Sequence, residues 1–357
     1  MSKTFILPCT GHRSSMLERA LGCLFGGAVG DAFGYAIEFD SLAAIRRRFG
    51  QQGLREPVFQ DGRLIVSDDT QMTLFTLEGL QRAYAQDGAF DSASLITEIR
   101  RAYRDWLATQ GDMPRSWQPA GALCQRPALR HRRAPGNTCL SALRQGGTGT
   151  VQQPINDSKG CGGVMRVAPL GWLTPWPQAQ VFQVAAEAAA LTHGHPSGYL
   201  SAGALAALVW GLFHGQTLAP AANEVLGLLD AAEAGLRRPE VAEKVAQALA
   251  LVQDGTDSEV AIQRLGEGWV GEEALAIGLY AALTGRDFAE VIQLAANHDG
   301  DSDSTAAIAG QLYGAWQGLG VIPPRWVRRL DVFEEMVGLV ESIAAWPFTA
   351  AEITSAD

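Results

Sequence analysis

The chemistry on offer in this sequence is concentrated in two short runs of oxygen-bearing side chains, Ser67-Asp68-Asp69-Thr70 and Asp301-Ser302-Asp303-Ser304. Each stands where loop-like sequence gives way to a helical pattern, over residues 71–84 and 305–319. One Asp or Ser at such a boundary is ordinary helix capping: its oxygen accepts from a free backbone N–H, and its charge suits the positive end of the helix dipole. Capping needs one such residue, whereas here paired acids and hydroxyls occur at both places. Carboxylates gathered in one cleft raise one another's pKa and do not all stay ionised without a cation. Oxygen-only donors suit a hard cation such as Mg2+ or Ca2+, and no Cys and His set of a zinc site accompanies them. The run from Asp299 imitates a calcium-binding EF-hand loop. It fails that test, with Ser304 at the sixth position, where Gly makes the turn, and Gly310 at the twelfth, where a bidentate Glu is required.

The elements that must carry these residues read as helices. Helical patterns follow one another from residue 16 to about 345, punctuated by Gly, Pro and Asp, with no repeat or low-complexity linker. Val181, Val184, Ala185, Ala188 and Leu191 keep the spacing of one buried helix face, and residues 199–213 are apolar nearly all round, which places them in the core. Asp287 followed by Glu290 predicts an N-cap for the helix carrying Val291, Ile292, Leu294 and Ala295. Residues 110–162 are the least regular, and long loops in compact domains are often functional. The expectation is an all-α fold in one domain over residues 16–345. Residues 1–15 are expected as a flexible N-terminal extension and 346–357 as a C-terminal tail.

Composition narrows the function. Of 357 residues, 47% are hydrophobic and 18% charged, which indicates a globular chain rich in helix formers. A net charge of −10 argues against a nucleic-acid surface, which needs concentrated Lys and Arg. The short basic stretch 126–133 is expected as a solvated loop, or as a guide for an anion such as a diphosphate. Cys9, Cys23, Cys124, Cys139 and Cys161 form an odd set without a C-x-x-C pair, so no disulfide framework is indicated and a cytoplasmic location is expected. The apolar run 20–37 is broken by five glycines and Asp31, which favours a buried helix over a membrane span.

Three segments together resemble the metal-site motifs of the ADP-ribosylglycohydrolase family: Gly30-Asp31-Ala32-Phe33-Gly34 with Glu38, Ser67 through Met72, and Gly300 through Ser304. Between them Asn137-Thr138, Lys159 through Arg166, Leu191-Thr192-His193 and Gly266 through Ala274 resemble the family's other landmarks in the same order, over about residues 18–320. The resemblance implies an orthogonal all-α fold and two Mg2+ ions, with Mn2+ as a possible substitute, in a cleft that receives the distal ribose of ADP-ribose. It carries the ligand role to Glu38, Ser67, Asp68, Asp69, Asp301, Asp303 and Ser304. Catalytic roles fall to Glu38, Asp68, Asp69 and Asp303, with Asp68 or Asp69 as proton acceptor for the attacking water. Ser stands at 67, 302 and 304 where the family usually has Thr; the ligating hydroxyl is retained without the methyl group that restricts its rotamer.

On the substrate side the resemblance singles out Asn137, Gly162, Gly163, Met165, Arg166 and His193 beside bound ADP-ribose. Trp269 and Tyr313 could face the adenine, but core packing is the ordinary role of aromatics in helical proteins, and both stay outside the expected site. Arginine-directed members tend to have an Asp shortly before the Gly-Asn-Thr motif, where this chain has Ala134 and Pro135. With arginine as the favoured linkage, Asp112, Asp157 or Glu38 would have to supply that carboxylate. The implied partner is an ADP-ribosylated protein, with neither nucleic acid nor membrane. The competing readings are a non-catalytic ADP-ribose-binding protein and an inhibitor that binds a cognate ADP-ribosyltransferase through residues 1–15.

Overall fold

The computed structural model describes residues 16–88, 90–112, 117–236, 238 and 240–343; the proposed extension and tail lie outside them. Through these residues run α1 (Met16–Tyr35), α2 (Leu42–Phe49), α3 (Asp68–Asp87), α4 (Ser92–Thr109) and α5 (Asn137–Arg144). After a stretch of short 3-10 turns come α6 (Gln178–Ala190), α7 (Pro196–Phe213), α8 (Leu218–Ala232), α9 (Glu240–Gln253) and α10 (Ser258–Leu265). The chain continues with α11 (Gly271–Thr284), α12 (Phe288–Ala296), α13 (Ser302–Gln317), α14 (Pro324–Val327) and α15 (Phe333–Ile343). Backbone pairing of the β type is limited, among the described residues, to isolated bridges such as Leu64 with Leu330 and Gly160 with Val270. The fold is all-α, as expected.

The centre of the molecule is the pair α1 and α13. Gly22, Gly26, Gly30 and Gly34 recur every fourth residue and form one bare stripe along α1. Opposite them lie the backbones of Gly314, Gly310, Ala306 and Ser302. A methyl group added to Gly22, Gly26, Gly30 or Gly34 would stand 2.2, 2.3, 2.1 or 2.1 Å from the respective carbonyl oxygens. The two helices therefore meet backbone to backbone, which only glycine permits. Four of the five glycines of the 20–37 run thus make a helix-packing seam, and the fifth, Gly27, leaves room for the Gln311 side chain. This contact brings the C-terminal end of α1, with Asp31 and the turn bearing Glu38, against the first turn of α13.

The flanking helices wrap this pair. α7 is apolar on all sides and buried, with a mean hydropathy of 1.3 and 83% of the span inside the fold. Its length would suit a bilayer, yet its burial makes it a core helix. α6 packs on it, and Val181, Val184, Ala185 and Ala188, the face expected from spacing, are buried. Asp287 caps α12 by accepting from the Glu290 N–H at 2.9 Å. Tyr313 is in the core, edge-on to Trp316 at 5.8 Å.

Candidate functional site

Both acidic runs sit at helix starts, and the helices begin earlier than the pattern suggested, at Asp68 and Ser302 instead of 71 and 305, because Ser67 and Asp301 are themselves the caps. Ser67 Oγ accepts from the Asp69 N–H at 3.2 Å, and Asp301 Oδ1 from the Ser304 N–H at 3.2 Å. Asp68 and Asp69 thereby occupy the first turn of α3, and Asp303 the first turn of α13. Capping thus falls to Ser67 and Asp301, and Asp301 lines the site as well.

Asp31 organises the first run from beneath. Its carboxylate accepts from the Ser67 N–H at 2.9 and 3.1 Å and the Thr70 N–H at 3.0 Å, and also from the Thr70 hydroxyl. The segment before α3 is strapped to the far end of the chain: Leu64 N–H donates to Arg329 O at 2.8 Å and Val66 N–H to Asp331 Oδ1 at 3.2 Å. Asp331 also pairs with Arg133 at 2.6 Å, and the Arg133 carbonyl accepts from the Asp68 N–H at 3.1 Å. At the second run, Gly300 adopts φ +129°, where a side chain would be strained and its Cβ would meet Glu267 O at 1.9 Å. The Asp301 N–H donates to that same carbonyl at 2.8 Å.

These constraints open a cleft of about 620 Å3 floored by Asp68, Asp69, Asp301, Asp303 and Ser304, with Glu38 at its side. Asn137, Gly162 and Met165 line it too, so nine of the residues expected at the site come together from α3, α5, α13 and three loops. Ser67, Gly163, Arg166 and His193 stand behind the wall. Ser67 is occupied with capping. Arg166 is fully buried, its guanidinium over the Tyr103 ring at 4.2 Å and bonded to Thr192 Oγ1 at 2.7 Å. Thr192 Oγ1 lies 2.8 Å from His193 Nδ1, and the His193 ring underlies Gly162, where an added methyl would come within 3.2 Å of it. Burial and the Arg166 charge push the His193 pKa down to about 3, so it backs the Gly-rich loop as a neutral imidazole. Lys159 of that loop is held by Glu240 at 2.8 Å and Glu272 at 2.5 Å, which takes it out of reach as a phosphate ligand.

Sequence reasoning left seven lining residues outside the expected site, among them Phe39, Arg132, Cys161 and Trp269. Phe39 and Trp269, 75% and 41% exposed, face one another at 6.4 Å with ring planes 19° apart on the rim. Arg132 lines the cleft from the basic stretch, and Cys161 from the Gly-rich loop. The exposed Phe39 directly after Glu38 leaves no periodic trace in sequence. Asp31, in contrast, was legible as the one charge inside the apolar run 20–37.

The floor is electrostatically loaded. Burial, reinforced by neighbouring acids, pushes the carboxyls of Asp68, Asp69 and Asp303 well above the usual range. Burial and the charges of Asp301, Asp68 and Asp31 raise Glu38 to about 9, and burial raises Asp31 to about 6. Among the described residues no three Asp, Glu, His or Cys side chains are already drawn together as an ion cage. Yet Asp69 Oδ2 and Glu38 Oε2 are buried without a hydrogen-bond partner, which costs stability unless a proton or a cation satisfies them. The donor chemistry fits a hard divalent cation.

A pH dependence follows for metal-free protein. A carboxyl whose pKa is higher folded than unfolded binds its proton more tightly in the folded state, so its stabilisation fades as pH rises through that value. Above about pH 6.5 a buried neutral His193 no longer matters, because the unfolded histidine is neutral as well. Between there and pH 9 the raised Glu38 carboxyl acts, with Asp68, Asp69 and Asp303 shifted in the same direction, and the melting temperature of chelated protein should fall with rising pH. Thermal melts across that window check this; a flat or rising trend would contradict it.

The ADP-ribosylglycohydrolase family profile matches residues 12–351. The chain is 26% identical to the ADP-ribosyl-[dinitrogen reductase] glycohydrolase of Rhodospirillum rubrum, over 89% of this chain and 92% of that protein. It is 26% identical to the ADP-ribosylarginine hydrolase Tri1 of Pseudomonas putida, over 94% of this chain and 80% of that one. Among solved structures it resembles an ADP-ribosylglycohydrolase-related protein complex, with TM-score 0.58 and 26% identity over 92% of this chain and 98% of that chain. The family match across nearly the whole chain, on an all-α scaffold that gathers buried acids from both ends of the sequence, places this protein in the ADP-ribosylglycohydrolase family, as an ADP-ribosyl hydrolase.

Proposed function

We propose that the protein hydrolyses the bond between ADP-ribose and a side chain of a modified protein, arginine for preference, at a carboxylate site for two Mg2+ ions. The observation that carries this reading is the set of buried acids from α3 and α13 facing one cleft, two of their region's carboxylate oxygens lacking any partner. The family in general uses a divalent metal. Glu38, Asp68, Asp69, Asp301, Asp303 and Ser304 would hold the ions, with Ser67 supporting from its capping position. Bound there, they would supply fixed positive charge that orients the ribose hydroxyls and offsets charge developing near the anomeric carbon.

The chain's own groups do the rest. Asp68 or Asp69, held in the first turn of α3, takes the proton of the attacking water. Asn137 and the Gly162 backbone receive the sugar and phosphate side, and Arg132 supplies a charge suited to the diphosphate. Of the three acids considered for the leaving group, Asp112 is engaged by Arg144 and Asp157 is exposed away from the cleft. Glu38 lines it, as do the aromatic rings of Phe39 and Trp269. A carboxylate and aromatic side chains lining one cleft suit a planar cation, which supports arginine as the linkage. Competition between equimolar arginine- and serine-linked ADP-ribosyl proteins tests the assignment. The expected ratio of kcat/KM favours arginine by about tenfold or more. A preference for serine would remove the linkage assignment and leave the hydrolase reading standing, since the ribose is common to both.

A further inference from the structure

Cys161 is held on the cleft wall by its backbone: its N–H donates to Trp269 O at 3.1 Å, beside the bridge between Gly160 and Val270. From there its Sγ lies 2.7 Å from Asp301 Oδ2. The other oxygen of Asp301 accepts from the Ser304 N–H at 3.2 Å, so both oxygens of this carboxylate are fixed by a donor. Asp69 Oδ2 and Glu38 Oε2 in the same cleft have none. Cys23, Cys124 and Cys139 are buried elsewhere, which leaves Cys161 as the cysteine lining the cleft among the described residues.

We propose that Cys161 is a positioning residue for Asp301, its thiol holding that carboxylate in the orientation from which it takes up a divalent cation. The inference rests on the metal reading above. A thiol suits the task because it donates one hydrogen bond without adding a positive charge that would repel the ion. A Lys or Arg in its place would neutralise the acid instead. Outer partners that orient a metal-binding carboxylate typically contribute about 10–100-fold to metal affinity.

The test is Mn2+ uptake by metal-stripped, full-length protein, followed by electron paramagnetic resonance, for wild type, Cys161→Ala and Cys161→Ser. Cys161→Ala should bind Mn2+ about tenfold or more weakly, while Cys161→Ser, which still donates, should stay within about threefold of wild type. Wild-type affinity in Cys161→Ala, or equal weakness in both variants, overturns the inference. Should Cys161→Ala fail to fold, alkylation of wild-type Cys161, read by mass spectrometry of its peptide, decides. Saturating Mn2+ should slow it about tenfold, and an unchanged rate overturns the inference. No Mn2+ uptake by wild type overturns the metal reading together with this inference, whereas wild-type uptake unaffected in Cys161→Ala overturns this inference alone.

Discussion

Asp303→Asn and Asp69→Asn should each lower turnover by about a hundredfold or more, equivalent to about 2.7 kcal/mol of lost transition-state stabilisation. Both carboxylates are buried in the first turn of a helix and face the same cleft. Asn keeps the shape and loses the charge that holds an ion, so the reacting groups are misplaced while the helix remains. The caps are supplied by Ser67 and Asp301, which neither substitution touches. Metal-free variants should melt no lower than wild type, because each removes one of several mutually repelling acids. Steady-state kinetics and thermal melts together check this. Near-normal turnover in both variants would reduce the acids to structural groups.

The largest effect on stability is expected at the seam between α1 and α13. Gly30→Ala would place its Cβ 2.1 Å from Ala306 O and 2.6 Å from Ala306 C, and backbone atoms cannot move aside as a side chain can. The helices must separate, which breaks contacts along the length of both and should cost more than about 3 kcal/mol. Activity should fall with it, since separation carries Asp31 and Glu38 away from Asp303. Gly227→Ala is the control: it lies in α8 with nothing within 4 Å, and there the better helix propensity should stabilise by up to about 1 kcal/mol. Chemical denaturation of both variants measures the contrast. Equal stability of the Gly30→Ala variant and wild type would mean the seam is not closed as described.

These two experiments mark how far sequence reaches. The helices were legible because periodicity and capping act locally: Asp287 with Glu290, and the face from Val181 to Leu191, needed no tertiary information. The acids of the floor were legible as types at helix starts, and their order along the chain supplied the family resemblance. What stayed hidden depends on close approach between distant segments. The glycines of α1 looked like interruptions of an apolar run, since their role exists only against the carbonyls of α13. Arg166 and His193 sit in the motifs that pointed to substrate, yet burial places them behind Gly162, where they support the loop. Phe39, Trp269 and Cys161 line the cleft through turns whose direction no spacing rule encodes.

One assay bears on the whole argument: release of ADP-ribose from an arginine-ADP-ribosylated protein by thoroughly chelated enzyme, before and after Mg2+ is restored. Turnover should vanish on chelation and return with Mg2+ or Mn2+, because the buried acids around Asp69 and Asp303 cannot hold and orient the ribose unaided. Full turnover in the chelated enzyme would contradict the metal-carboxylate mechanism outright.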